Sequence, residues 1–229
     1  MASDWLERGA GEGEEGLEPR RAEMRRLAAS ARDVIERLVN TEAPIESLTA
    51  AADLLAAASA ELGGWPQGRT YEGFSESANA GTPSAFFDHS PIMGQANPLA
   101  PPLRLEIRDG AVHGHARFGS AYEGPPGSVH GGFVAAAFDE VLGMAQSLGG
   151  APGMTGTLSI RYRRPTPLHT DVRFEGTLDR QEGRKLFTTG RLYAPDGLCA
   201  EAEGLFISVD FARIAEMMAA RASAGEANP

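Results

Sequence analysis

The sequence predicts an α+β protein in which a curved antiparallel sheet wraps around one long central helix, with an N-terminal helical extension in front. Three observations point there. Strand-type alternation dominates after Leu103, a single broad apolar stripe at helical spacing interrupts it over residues 133–148, and Ala-, Arg- and Glu-rich sequence fills the chain before about Leu62. A hairpin, one apolar helix and four further strands can all bury their apolar sides if the sheet curls around the helix in one layer contact.

Taken in order, residues 19–39 carry Met24, Leu27, Val34, Ile35 and Leu38 near the helical period, and residues 45–62 repeat the pattern with Leu48, Leu54, Leu55 and Leu62. Residues 1–62 are therefore expected to form the helical extension. Residues 63–101 are rich in Gly, Pro and Ser, and a loop of that length is expected to wrap the strand-rich domain at 102–210. That domain opens with Leu103, Leu105 and Ile107, turns at Asp109-Gly110 and returns over 112–118 as a hairpin. The helix follows, with Val134, Phe138, Val141, Leu142, Ala145 and Leu148 on its apolar side and Gly149-Gly150 as its stop. Strands are expected around Leu158, Ile160 and Tyr162, around Val172 and Phe174, and over 186–193 and 198–209. Residues 213–222 read as a short helix in a loose tail at 211–229.

Composition bounds the function. A chain of 229 residues with a formal net charge of −10 and an acidic stretch at 12–18 is a poor match for a nucleic-acid backbone, which demands clustered Lys and Arg. Cys199 is the single cysteine, so no intrachain disulfide forms, and residues 1–10 show no basic-then-apolar leader; a cytoplasmic location is the expectation. The longest apolar stretch, 48–60, carries Asp53 and falls short of the ~20 residues of a membrane span. His113 and His115 share one side of a strand but lack a third ligand, so no metal is expected. No Gly-x-Ser-x-Gly turn occurs, and Cys199 has no visible histidine setting, which disfavours a Ser or Cys hydrolase.

The run Gly124-Pro125-Pro126-Gly127-Ser128-Val129-His130-Gly131-Gly132, with Asp139 nine residues after His130, resembles the PaaI-type thioesterases. Met154-Thr155-Gly156-Thr157-Leu158, leading into Tyr162-Arg163-Arg164-Pro165, resembles the strand after the helix in that family, above all in its THEM-type long-chain acyl-CoA members. Gly183-Arg184-Lys185-Leu186-Phe187 fits the same pattern, and the resemblance covers roughly residues 90–208. It implies the hotdog fold and hydrolysis of a fatty or aryl acyl-CoA by a homodimer or dimer of dimers, with no separate cofactor. It also implies roles: Asp139 as base or nucleophile, His130 with Gly131 and Gly132 at the thioester carbonyl, and Thr155 positioning water or Asp139. CoA contacts would fall on Arg161, Arg163 and the run Arg184, Lys185, Leu186, Phe187, Thr188 and Thr189, with Asn97 at the acyl entrance.

The residues support part of this independently of the resemblance. Thioester hydrolysis requires a donor for the developing oxyanion and a base for water. Gly131 and Gly132 sit where the helix begins, so their amides can approach a carbonyl oxygen with the helix dipole behind them. Asp139 interrupts an apolar run, where a carboxylate is costly unless it has partners or a task. Nine residues of helix place Asp139 ~180° around and ~13 Å along from His130, so two subunits are expected to share each site. Each residue also has a plainer reading: His130 as a helix cap, Asp139 as a buried or interface hydrogen-bonding group, Thr155 and Asn97 as strand and turn residues, Arg161 and Arg163 as solvated charge. A dehydratase is disfavoured because Gly94-Gln95-Ala96-Asn97-Pro98-Leu99-Ala100 lacks the acid and imidazole of the hydratase element. A noncatalytic acyl-CoA sensor remains the alternative.

Overall fold

The structure is a computed structural model describing residues 19–65, 88–150 and 153–209. The expected helix at 213–222 with its tail, the acidic stretch at 12–18 and positions 66–87 of the wrapping segment lie outside those residues. The chain forms α1 (Pro19–Asn40), α2 (Ile45–Gly63), β1 (Arg104–Arg108), β2 (Ala111–Arg117), a 3-10 turn (Ser120–Tyr122), α3 (Gly131–Ser147), β3 (Gly153–Tyr162), β4 (Asp171–Glu182), β5 (Lys185–Ala194) and β6 (Gly197–Ser208). The strands make one six-stranded sheet in the order β1-β2-β4-β5-β6-β3, antiparallel at every pairing. Asp109 and Gly110 both take positive φ, 53° and 74°, which is the two-residue turn that matches strand twist.

α3 is the element the sheet is built around. Its Val134, Ala137, Phe138, Val141, Leu142 and Ala145 are buried against Val112, Val172, Phe174, Leu186, Leu192 and Phe206. Each large side chain so buried contributes about 1.5–3 kcal/mol. The rings of Phe138 and Phe174 meet edge-on at 5.3 Å. Gly176 and Gly190, opposite each other on β4 and β5, let the helix settle close: a Cβ would lie 2.7 Å from Val141 Cγ1 at the first and 3.0 Å from Leu142 Cδ2 at the second. Larger residues there would push the helix off the sheet.

The N-terminal helices form where the periodicity places them, but their apolar stripes do not sink into this core. α1 buries only Ala28, and Leu27, Val34 and Leu38 stay 46%, 37% and 60% exposed. α2 buries none of its residues. α1 is held instead by polar side chains: Arg21 and Arg25 grip the buried carboxylate of Asp88. The segment after Asp88 then enters the core through Ile92, Met93 and Leu103.

β3 forms one margin of the sheet, hydrogen-bonded to β6 on a single side. Its residues from Met154 to Thr157 are exposed. Among the described residues, no helix is long and apolar enough to cross a membrane.

Candidate active site

The start of α3 is tightly anchored. Gly124 N–H donates to Ser128 O at 2.9 Å, Val129 N–H to Thr166 O at 2.8 Å and His130 N–H to Tyr122 O at 2.8 Å. A Cβ on Gly124 would meet His130 Cα at 2.7 Å, so only glycine lets the loop cross here. His130 is the N-cap of α3, its Nδ1 accepting the Gly132 N–H at 3.0 Å. The capping reading therefore holds, and it has a chemical consequence. With Nδ1 as acceptor, the neutral ring carries its proton on Nε2, an assignment made from the bonding, and that N–H is left to donate outward. The cap also engages the Gly132 amide, so the two expected backbone donors divide: Gly131 retains a first-turn N–H with no intrahelical acceptor. Tyr162 Oη donates to the Gly131 carbonyl at 2.8 Å and fixes this turn against β3.

Asp139 lies half-buried on the flank of α3 that faces β3, where its Oδ1 accepts the Thr155 hydroxyl at 2.7 Å. This contact depends on an irregularity in β3. Leu158, Ile160 and Tyr162 lie on the helix side of the strand, and strict alternation from them would turn Thr155 outward. The pairing with β6 shifts between Thr155 and Thr157, so a bulge at Gly156 changes the parity and brings Thr155 to face α3 opposite buried Phe206. An isolated glycine within a strand pattern is the sequence signal for such a bulge.

Glu140, which the sequence did not single out, completes this region. It is largely buried and accepts the Ser90 hydroxyl at 2.8 Å, while Ser90 Oγ accepts the Ile92 and Met93 amides at 3.2 and 3.1 Å. Burial raises the Glu140 carboxyl above the ordinary glutamate range, the Ser90 bond opposes this and the neighbouring Asp139 adds to it. Its place beside Asp139 in the same apolar run was the available signal.

The expected CoA contacts separate by strand alternation. Leu186 and Thr188 are 0% and 1% exposed and face the core, which removes their side chains from an outer binding surface. Lys185, Phe187 and Thr189 point to the opposite face, where the Arg180 guanidinium stacks 3.8 Å over the Phe187 ring and Thr189 bonds Asp179 at 3.0 Å. Arg184 donates to Ser208 O at 3.1 Å. Arg163 pairs with Glu201 through two bonds, 2.8 and 2.6 Å, holding that carboxyl below its usual range, and Arg161 lies opposite Glu201 in the ladder. Asn97 uses its side chain in its own turn: Nδ2 donates to His89 O at 3.1 Å and Oδ1 accepts the Leu99 amide at 3.0 Å. That is the plain turn reading of this residue.

Comparison with known proteins gives the family and the fold. Residues 126–201 match the family model described as Thioesterase superfamily. The crystal structure of a thioesterase superfamily protein aligns with a TM-score of 0.71 and 37% identity, covering 80% of this chain and 94% of that one. The chain belongs to the thioesterase superfamily, and its α+β hotdog architecture is that of the family. It is also 42% identical over 94 residues to the acyl-coenzyme A thioesterase THEM4 of Bos taurus, 40% of this chain and 38% of that protein. It is 33% identical over 93 residues to the acyl-coenzyme A thioesterase THEM5 of Homo sapiens, again 40% and 38%. The chain thus spans about two fifths of the length of these curated relatives.

Proposed function

We propose that the protein hydrolyses the thioester of a fatty or aryl acyl-CoA, releasing free acid and CoA, in a site that two copies share. The observation that carries the reading is the Asp139 carboxylate, half-buried on an otherwise core-facing helix and oriented by Thr155 Oγ1 at 2.7 Å. A carboxylate kept in such a place, with one short bond and one free oxygen edge, suits a base. Water attacks the thioester carbonyl carbon as its proton passes to Asp139. The oxyanion accepts from Gly131 N–H and His130 Nε2–H, and the collapsing intermediate expels CoA sulfur, which takes the proton back.

α3 is unbroken from Gly131 to Ser147, so the eight residues between Gly131 and Asp139 set the donor end and the carboxylate ~12 Å apart along one helix, too far for one copy to aim both at one carbonyl. This supports an isologous dimer in which the donors of one copy meet Asp139 of the other. The half-open margin at β3 offers a place for such pairing. The outward cations Arg161, Arg184 and Lys185 are proposed to meet the CoA phosphates, with Arg163 biased towards Glu201. A cytoplasmic setting is part of the proposal, supported by the buried free thiol of Cys199.

The deciding measurement is free-thiol release from short, long and aryl acyl-CoAs, with binding measured alongside. Turnover of at least one class is expected. Saturable binding with no thiol released from any of them would replace the hydrolase with an acyl-CoA sensor.

A further inference from the structure

The first N-terminal helix touches two separate segments, residues 95–97 and the loop that leads into the start of α3, and it does so with charged side chains aimed at backbone. Arg32 of α1 donates from Nη1 to Asn97 O at 2.9 Å and from Nη2 to Gln95 O at 3.1 Å. One turn along, Glu36 Oε2 accepts the Ser120 amide at 2.8 Å, at the start of the 3-10 turn. The approach is close: a Cβ on Gly119 would lie 2.4 Å from Glu36 Oε2. His169 Nε2 sits 2.9 Å from Ser120 Oγ and 3.8 Å from Glu36 Oε1, closing the other side of the contact.

These two anchor points converge on one residue. Tyr122 ends the 3-10 turn, donates its hydroxyl to Leu99 O at 3.1 Å and accepts the His130 amide at 2.8 Å. Its ring packs edge-on against Phe133 at 4.9 Å and Phe118 at 5.8 Å. Burial pushes its phenol up to about 12, so the hydroxyl stays a donor throughout the working range. The path from α1 therefore runs Arg32 to the 95–97 carbonyls and Glu36 to Ser120, then through Tyr122 to His130, whose ring and next amide form the donor pair. Burial lowers the Arg32 guanidinium from its ordinary value, and the side chain places its charge on neutral carbonyls.

We propose that Arg32 and Glu36 are positioning residues for thioester hydrolysis: α1 is an internal brace that sets the spacing between the 95–99 segment and the 119–130 loop, and through Tyr122 the aim of His130 and the Gly131 amide. This rests on the thioesterase reading above. It gives the N-terminal extension a task in the chemistry, one its sequence pattern does not suggest.

The test uses the full-length protein with Arg32→Ala, Glu36→Ala, Glu36→Gln and, as a control, Glu23→Ala, which removes only an exposed pair with Arg26. Kinetic constants, melting temperature and amide hydrogen exchange are read together. Arg32→Ala and Glu36→Ala should each lower kcat about tenfold, the scale of a small misalignment of reacting groups, with KM within about twofold of native. Exchange should rise over 88–100 and 119–130 while the α3 and β5 core stays protected. Glu36→Gln, which can still accept the Ser120 amide, should recover most of kcat, and Glu23→Ala should behave as native. Unchanged exchange over both loops overturns the brace. Raised exchange with native kcat, or a loss of kcat that Glu36→Gln does not restore, overturns the positioning role. Because exchange needs no substrate, a native protein that turns over no acyl-CoA counts against the thioesterase reading, while the exchange result still decides the brace.

Discussion

α3 and α1 carry the same periodic apolar signal and are held to the fold in opposite ways. α3 buries its stripe under the sheet, whereas α1 leaves Leu27, Val34 and Leu38 exposed and docks through Arg21, Arg25, Arg32 and Glu36. Periodicity reports that a face exists, and only a complementary surface decides whether it is buried. Apolar attachment barely responds to salt, while partly exposed charge contacts weaken with it. Chemistry carried by α3 should therefore be insensitive to ionic strength, and any support from α1 should not be.

The largest expected effect lies on α3. Asp139→Ala should lower kcat by about 10³ with little change in substrate affinity. Gly131→Val, which crowds Tyr162 Oη, should disable the donor end to a similar degree. Mixed dimers of the two variants then contain one site with both lesions and one intact site, so about half the native activity should return per heterodimer. No recovery on mixing would mean that each chain builds its site alone. An equal fall in kcat and affinity for Asp139→Ala would make that residue structural.

Thr155→Ala should have a smaller effect, about 1–2 kcal/mol or five- to thirtyfold in kcat, because Asp139 loses an orienting bond but keeps its charge. A loss as large as that of Asp139→Ala would instead place Thr155 at the reacting atoms. The smallest effect concerns Glu140 and appears in stability. A carboxyl raised in the fold keeps its proton where the unfolded chain has lost it, so its contribution is full below about pH 4.3 and declines as pH rises through the folded value. Glu140→Gln should still accept the Ser90 hydroxyl and should flatten that decline in denaturation midpoints measured from about pH 4 to pH 8. Parallel curves for the two proteins would refute it.

Much of the fold was legible because its strands and central helix follow the two periods that bury one side of an element. The hairpin at Asp109-Gly110, the stripe from Val134 to Ala145 and the alternation in β4 to β6 are all local patterns. Of the candidate site, Gly131, Gly132 and Asp139 could be read from glycines at a helix start and a carboxylate in an apolar run, whereas a role for His130 came from the family resemblance. What escaped depends on the geometry of a cap or turn, on strand pairing, or on contacts distant in sequence. The Gly132 amide is consumed by His130 because of cap geometry, and Leu186 and Thr188 face inward because of the pairing of β5. Asn97 closes its own turn, and Glu140 matters only because Ser90 reaches it from fifty residues away. The charged face of α1 could be read from sequence as solvated, since nothing local reveals that carbonyls at 95 and 97 lie across from Arg32.

The ten-residue margin strand carries one more implication. Along its outer side, β3 offers the chain's next neighbour a line of backbone groups ready to bond, and if two copies close over each other there, the same contact both completes the chemistry and covers the adhesive rim. Dilution would then disarm the protein and make it sticky in one step. Its working lifetime in a dilute assay would be governed by protein concentration, and activity lost that way would return only in part when the sample is concentrated again.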